Sequence, residues 1–295
     1  MSVPVTQNNS FDNILFAADL STSSAAALSY AVGLARHFQS LLNIVNVVPA
    51  EICQDAQPPD PFYFRHSAEN RMAHLVASEM FHGVRHREFV EEEQGNLPDV
   101  LSKLIWKLNI DLVILGSRGR GGMGKVLLGS ISEEIANCAP CSILTVGPNV
   151  SSIPLGELTI RRILCATSLL PGSAKILAYA LWLGEQEHAQ VDFLHAIHSP
   201  SDFGTANSDI EKAKAMNQLK QLVALEAGHT VEIGVIVEIG KLAEQILKVA
   251  KRRSVDLIVM GPSSTSHPRI ASHLPWVTPH QVLSQAHCPI LTVRV

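Results

Sequence analysis

The chain has 295 residues, of which 46% are hydrophobic and 17% charged, with a formal net charge of −4. That length holds two ordinary domains, each able to bury a core, and the apolar share argues against disorder. The charge balance gives no general drive toward nucleic acid or acidic membranes, and no uninterrupted apolar run reaches the ~20 residues a membrane span needs.

The opening, MSVPVTQNNSFDN, has no basic stretch followed by an apolar one, so no secretory signal is read there. Residues 14–18 form the first apolar run, which reads as a buried parallel strand leading into Asp19. Leu28, Ala31, Val32 and Ala35 follow with helical spacing. Residues 42–48 give a second strand, with Val47 near its end. The stretch 49–64 contains four prolines and three aromatics, and reads as a lid over a ligand or as a long surface loop. Residues 84–90 suit a strand at a sheet edge, and Glu91, Glu92 and Glu93 a solvated strand end. Leu101, Leu104, Ile105 and Leu108 mark a helix, and residues 112–115 and 143–146 mark two more strands. Alternating strands and helices imply an α/β, doubly wound, Rossmann-like domain, a five-stranded parallel sheet with helices on both faces. Such sheets bind ligands beyond the carboxyl ends of their strands, where the strand order reverses.

The chain is then written a second time. ILFAADL from Ile14 matches ILCATSL from Ile163, and Leu-x-Tyr-Ala occurs at Leu28 and again at Leu177. GNLPDVL from Gly95 matches GKLAEQI from Gly240, and DLVILG from Asp111 matches DLIVMG from Asp256. Each half closes on Cys-x-Ile-Leu-Thr-Val, from Cys141 and from Cys288. The order and near-constant spacing imply a tandem duplication, with domains over residues 1–150 and 151–295. GPNVSSIPLGELT, residues 147–159, is rich in Gly, Pro and Ser and reads as the linker.

After the fourth strand comes GSRGRGGMGKVLLGS, residues 116–130. Gly119 to Lys125 nearly spells a P-loop, but Val126 has no hydroxyl for magnesium, and a P-loop belongs near the first strand. Gly119, Gly121 and Gly124 fit GxGxxG, which should end the first strand instead. Gly116, Gly119, Gly129 and Ser130 fit G-x2-G-x9-G-S. Glycines at 116 and 119 let backbone amides approach phosphates, and Ser130 with Glu133 forms a Ser-x-x-Glu capping box whose helix start, with the Ser130 and Ser132 hydroxyls, makes an anion site. The plainer reading is a flexible connection, with Asp19 as N-cap of the first helix.

This spacing, after a first-strand Asp, resembles the ATP-binding signature of the universal stress protein family, and the likeness covers both halves. The resemblance implies two tandem domains of the adenine nucleotide alpha-hydrolase-like fold. It implies ATP at Asp19, Val47, Leu115, Gly116, Arg118, Gly119, Gly129, Ser130, Ile131 and Ser132, with Asp19 toward the ribose or adenine and Val47 as an apolar wall. Ala17 stands where some members have Pro. Mg2+ is a candidate companion ion, although no acidic pair near the loop stands out to hold it. In the second half Ser168 replaces Asp19, Ser264 replaces Gly119, and Leu274-Pro275 falls near Gly129-Ser130; Pro lacks an N–H, so the device is expected to be lost there. The repeated ILTV strands resemble the edge through which this family pairs its domains, so pairing within the chain is expected.

Cys138 and Cys141 spell C-x-x-C at a helix end, so Cys141 is expected to pack in the core rather than act in redox chemistry. The five scattered cysteines, an odd count, fit a reducing cytoplasm. His267, His273, His280 and His287 are separated by prolines, and His82 and His86 flank Gly83, so neither set shows converging metal ligands. The leading function is an ATP-binding stress-response or regulatory protein. A slow ATPase or phosphotransferase, with Arg118, Arg120 and Lys125 supplying charge, is the enzymatic alternative; a nucleotide-free scaffold is the third. The partners are an adenine nucleotide, the other domain, a second chain in a homodimer and an unnamed protein, without nucleic acid or membrane.

Overall fold

The computed structural model describes residues 10–21, 24–49, 61–93, 96–116, 135, 139–154, 158–170, 173–197, 205–225, 230–261 and 277–294. The first half runs β1 (Asn13–Ala17), α1 (Ala25–His37), β2 (Leu41–Pro49), α2 (Pro61–Val76), β3 (His86–Glu93), α3 (Leu97–Lys107), β4 (Leu112–Gly116) and β5 (Ser142–Val146). The second runs β6 (Arg162–Ala166), α4 (Ser173–Glu187), β7 (Gln190–Ile197), α5 (Thr205–Leu225), β8 (Ile233–Ile239), α6 (Leu242–Arg253), β9 (Leu257–Met260), α7 (Val277–Gln285) and β10 (Ile290–Thr292).

All ten strands form one sheet in the order β3-β2-β1-β4-β5-β10-β9-β6-β7-β8. Pairing is parallel within each half. The halves meet where β5 and β10 run antiparallel, with Leu144 opposite Leu291, Ile143 opposite Thr292 and Thr145 opposite Ile290. Leu144 and Leu291 are the same residue of the repeated ILTV, so the seam is a pseudo-two-fold centred on that pair. The order reverses between β1 and β4, and again between β6 and β9, giving each half one switch point.

Side-chain alternation along the strands builds different cores on the two faces. On one face, Ile14, Phe16, Leu42 and Ile44 join Ile163, Phe193 and helices α1, α2, α4 and α5 in a single core that crosses the seam. On the other, Leu15, Val45 and Val113 pack under α3, while Leu164, Leu194 and Ile258 pack separately under α6 and α7. The shared face is sealed by aromatics from both halves: the Phe11 ring lies 4.9 Å from Phe38 and 5.5 Å from Trp182. His37 Nε2 and Glu187 Oε1, 3.0 Å apart, pair the ends of α1 and α4.

Local chemistry sets several ends. The Asn96 side chain accepts from the Asp99 N–H at 2.8 Å and caps α3, with Pro98 in the first turn. Arg65 of α2 reaches across the outer edge of β3, donating to the Val90 carbonyl at 2.9 Å and pairing with Glu92 at 3.0 Å. Pro61 and the three aromatics after it belong to α2 rather than to a lid or loop; residues 50–60 lie outside the described ones.

The segment read as a linker is packed against both halves. Asn149 Nδ2 donates to the Ser284 carbonyl at 2.9 Å, and Ser29 Oγ accepts from the Ile153 N–H at 3.1 Å. Val150 and Ile160 are buried in the shared core. At Gly33 a Cβ would lie 2.8 Å from Ile153 Cδ1, so glycine lets the segment lie against α1. Gly, Pro and Ser content marks irregular backbone and says nothing of whether that backbone is docked.

Candidate functional site

β1 delivers Asp19 to the carboxyl edge of the sheet, two residues beyond its last paired position. The Ala18 N–H donates to the Val45 carbonyl at 2.8 Å, and the chain then turns through Leu20 at φ +56°. Asp19 Oδ1 accepts from the Ser21 N–H at 2.9 Å, and the Ser21 hydroxyl donates to both carboxylate oxygens at 2.8 Å. This is a local Asx turn. Ser24, not Asp19, stands at the N-cap of α1, so the capping role considered for Asp19 is not the one it has. Asp19 is half-buried. A cavity of about 380 Å3 opens beside this loop between α1 and α2, lined by Phe16, Leu28 and Leu75 with Ser21, Ser24 and Arg71.

Val47 and Leu115 are buried in the core under α3, and the half-buried Ala17 packs against the same cluster. The structure thus gathers an apolar patch at the carboxyl ends of β2, β4 and β1, on the side of Asp19 away from α1. Gly116 ends β4; among the described residues a Cβ there would meet only Ala27 Cβ, at 3.5 Å. Asp19, Val47, Leu115 and Gly116 therefore share one switch point. Arg118, Gly119, Gly129, Ser130, Ile131 and Ser132 lie outside the described residues, as do Arg120, Lys125 and Glu133.

Sequence reasoning missed Asn46. It is buried beside Val47, and its Nδ2 donates to the Ala18 carbonyl at 2.7 Å, fixing the backbone that carries Asp19. The signal was two asparagines in the otherwise apolar LLNIVNVV.

The second switch point keeps the backbone and changes the side chains. The Thr167 N–H donates to the Leu194 carbonyl at 2.9 Å, and Leu169 turns at φ +60°. Ser168 stands where Asp19 did, with its hydroxyl 3.5 Å from that of Ser173. His195 Nδ1 replaces the Asn46 amide against the Thr167 carbonyl, at 2.9 Å. Ile176 takes the place of Ala27: a Cβ on Gly261 would lie 2.4 Å from Ile176 Cδ1. A longer, branched side chain thus stands at the position where the first half has Ala27, whose Cβ is 3.5 Å from where a Gly116 Cβ would lie. Ser264, Leu274 and Pro275 lie outside the described residues.

Cys141 is half-buried, and burial pushes its thiol up to about 12, which suits packing and not nucleophilic chemistry. Cys138, His267 and His273 lie outside the described residues. His86 opens β3 and His82 follows a 3-10 turn, so the two do not share a helix face. Among the described residues, no helix is long and apolar enough to cross a membrane.

The model of the universal stress protein family matches residues 10–147 and again 159–294. A Staphylococcus aureus (strain USA300) protein named for the same family is 30% identical over 139 residues, covering 46% of this chain and 84% of that protein. The crystal structure of a universal stress protein from Archaeoglobus fulgidus superposes with a TM-score of 0.70 at 17% identity, covering 97% of both chains. A Pseudomonas aeruginosa structure titled for the same family gives 0.65 at 16% identity, covering 97% of this chain and 94% of that one. The two superpositions share the tandem fold along their whole length.

Proposed function

The chain belongs to the universal stress protein family, and on that premise we propose that its first half is an ATP-binding regulatory module of a stress response, while its second half is a structural partner without that site. The observation that carries the reading is the contrast between the switch points. The first offers a carboxylate, an apolar wall and, among the described residues, only the small Ala27 beside Gly116; the second offers Ser168 and the longer Ile176 pressed against Gly261.

Asp19 would accept hydrogen bonds from ribose hydroxyls or the adenine amino group. A carboxylate has about four accepting positions and Ser21 has two protons to give, its N–H and a hydroxyl shared between the two oxygens, so the carboxylate keeps accepting capacity for a ligand. Val47 and Leu115 would flank the base. Gly116, Arg118, Gly119, Gly129, Ser130, Ile131 and Ser132 would hold the phosphates through backbone amides and hydroxyls, the arrangement that suits an anion at a helix start. Mg2+ would enter as the companion of the triphosphate. The arrangement serves binding, with nucleotide occupancy setting the shape of the surrounding loops for a protein partner in the cytoplasm.

The test is calorimetric titration of the full chain with ATP, with and without Mg2+, beside chromatography of nucleotide released on denaturation. About one ATP per chain is expected, and Asp19→Ala should weaken binding at least ~10-fold, the loss of a hydrogen bond to a charged group. Gly119→Val should abolish it, and Ser168→Ala should leave it unchanged. Silence in both measurements, or equal loss from Ser168→Ala and Asp19→Ala, would sink the reading. Steady phosphate release would move it to the ATPase alternative.

A further inference from the structure

A cavity of about 520 Å3 lies between the ends of α6 and α7, beside the residues that lead into β9 and β10. It sits at the opposite end of these strands from the second switch point, and its volume falls within the roughly 300–1,000 Å3 of ordinary ligand clefts. Leu247, Ala250, Val255 and Ala286 make its walls apolar, and the exposed residues Lys248 and Lys251 also line it. The duplication shows how the space arises. Ala250 stands at the position of Ile105, a side chain that is 1% exposed in the core under α3. Alanine lacks most of that side chain, and here its residue lines a cavity.

The surface beside the cavity changes sign between the halves. Asp12, Asn13, Trp106 and Leu108 of the first half correspond to Arg161, Arg162, Lys251 and Arg253 of the second. The fold keeps the correspondence: Asp111 accepts from the Asn13 N–H at 2.8 Å, and Asp256 from the Arg162 N–H at 3.0 Å. Arg252 and Arg253 are held at Glu238 and Asp192, so Lys248 and Lys251 supply the charge at the cavity. The exposed Arg161 and Arg162 continue it to the start of β6. Carbonyls at helix ends would repel an anion, but several here are engaged. Val255 and Ser254 donate their N–H to the Ala250 and Lys251 carbonyls at 3.0 and 3.3 Å, Arg162 Nη1 donates to the Arg253 carbonyl at 2.7 Å, and Asn149 Nδ2 holds that of Ser284. Complementing the dipole of α6 would account for basic residues in its last turn, but not for the apolar cavity beside them or the change from Asp12 to Arg161.

We propose that this cavity is the docking site for an acidic segment of a partner protein, which sets one apolar side chain between α6 and α7 and its carboxylates against Lys248, Lys251 and Arg161. This gives the second half a role beyond the structural one, and it does not rest on ATP binding. An apolar anchor in a recess supplies affinity, and charges around it supply orientation and exclude wrong partners. A recess receives a side chain, whereas a membrane surface would call for apolar groups that project from the protein. The positive surface also runs past the cavity to Arg161 and Arg162, farther than a small anion filling the cavity would reach.

The test is calorimetric titration of the full chain, without nucleotide, with short peptides in which glutamates flank a single central Leu, Met, Phe or Trp. At least one should bind at low salt with a Kd of about 100 μM or tighter, and the same peptide with a central Gly should bind at least ~10-fold more weakly. Exchanging both lysines, Lys248→Glu with Lys251→Glu, should weaken binding at least ~10-fold while leaving the far-ultraviolet spectrum unchanged, since both positions are exposed. Ala250→Ile, which puts the side chain of the first half into the cavity, should weaken it as much. The lysine variant decides the matter if the isoleucine variant misfolds. Failure of every peptide to bind overturns the proposal, as does binding that the folded variants leave unchanged. Equal binding of the glycine-centred peptide overturns it too, because charge alone would then explain the contact. So does cosedimentation with phosphatidylserine vesicles that the lysine variant abolishes, which would assign the surface to a membrane.

Discussion

Asp192→Asn should stabilise the protein at neutral pH, although it removes one member of an ion pair. Asp192 lies on β7 and is 2% exposed, and its Oδ1 has no hydrogen-bond partner. That oxygen sits against Gly234 of β8, where a Cβ would be 1.9 Å away, so the carboxylate occupies space only a glycine leaves. Its other oxygen is 3.7 Å from Nε of Arg253, a half-exposed side chain. Desolvation raises the Asp192 carboxyl above its ordinary 3.8; Arg253 opposes this and Glu232 adds to it. An unpaired buried acceptor costs about 1–3 kcal/mol and a charged one more, so neutralising it recovers the difference, while the half-exposed pair given up returns about 0–1. The duplication supplies the replacement, because the matching residue of the first half is Asn43, whose Nδ2 reaches the carbonyls of Ile14 and Leu41 at 3.3 and 3.4 Å while its Oδ1 stays unpaired, so the exchange removes the buried charge rather than the orphaned oxygen. The net expectation is a gain of about 1 kcal/mol, or roughly 2 °C in the unfolding midpoint for a chain of this size. The pH dependence follows from the sign of the shift. A carboxyl raised in the folded state contributes stability that is present below its unfolded value and lost as pH rises through the folded one. The advantage of Asn over Asp should thus be largest at pH 7 and shrink toward pH 4. Urea unfolding of both proteins at the two pH values decides it. A variant less stable at pH 7, or an offset that does not change with pH, would refute the reasoning.

The two switch points should answer differently to the same methyl group. Gly116→Ala, in ordinary contact with Ala27 at 3.5 Å among the described residues, should be neutral or gain up to about 0.5 kcal/mol, whereas Gly261→Ala, which meets Ile176 at 2.4 Å, should cost about 1 kcal/mol. Equal responses in thermal unfolding would mean that the crevices do not differ in space. At the seam, Leu291→Ala should cost about 3 kcal/mol, because Leu291 is buried in the core shared by both halves. Unfolding should remain one transition in calorimetry, since that core is continuous; two resolved transitions would show that the halves are energetically separate.

The strands and their repeat were legible because buried parallel strands read as short apolar runs, and ILTV written twice marked the seam before any geometry was known. Asp19, Val47, Leu115 and Gly116 were placed by pattern, and the fold does bring them to one switch point. What escaped was adjacency across the fold. Ile176 reads as an ordinary apolar helix residue until its Cδ1 is found over Gly261. Asn46 reads as a polar interruption until its amide is found on the Ala18 carbonyl. The aromatics at 62–64 looked like loop because prolines precede them, yet Pro61 opens α2, a position that costs no hydrogen bond.

The backbone strain in the two halves separates what the fold needs from what the site needs. Six non-glycine residues among those described have positive φ: Leu20, Gln39, Asn109, Leu169, His188 and Ser254. They form three pairs at matching positions of the duplicated unit. Gln39 and His188 end the first helix of each half, and Asn109 and Ser254 precede the fourth strand. The pair Leu20 and Leu169 is the informative one. A leucine there pays about 1–2 kcal/mol for a left-handed backbone, and both halves hold it beside the switch point. If nucleotide binding were the reason for that strain, a second half proposed to lack the site, with Ser168 and Ile176 in place, would have none to maintain. It persists because the residue two before it is still paired to the second strand, Ala18 to Val45 and Thr167 to Leu194, and the chain must leave the sheet at that point. The turn is therefore a property of the doubly wound fold, and the differences at 19 and 168, 27 and 176, and 46 and 195 are where the two halves part in chemistry.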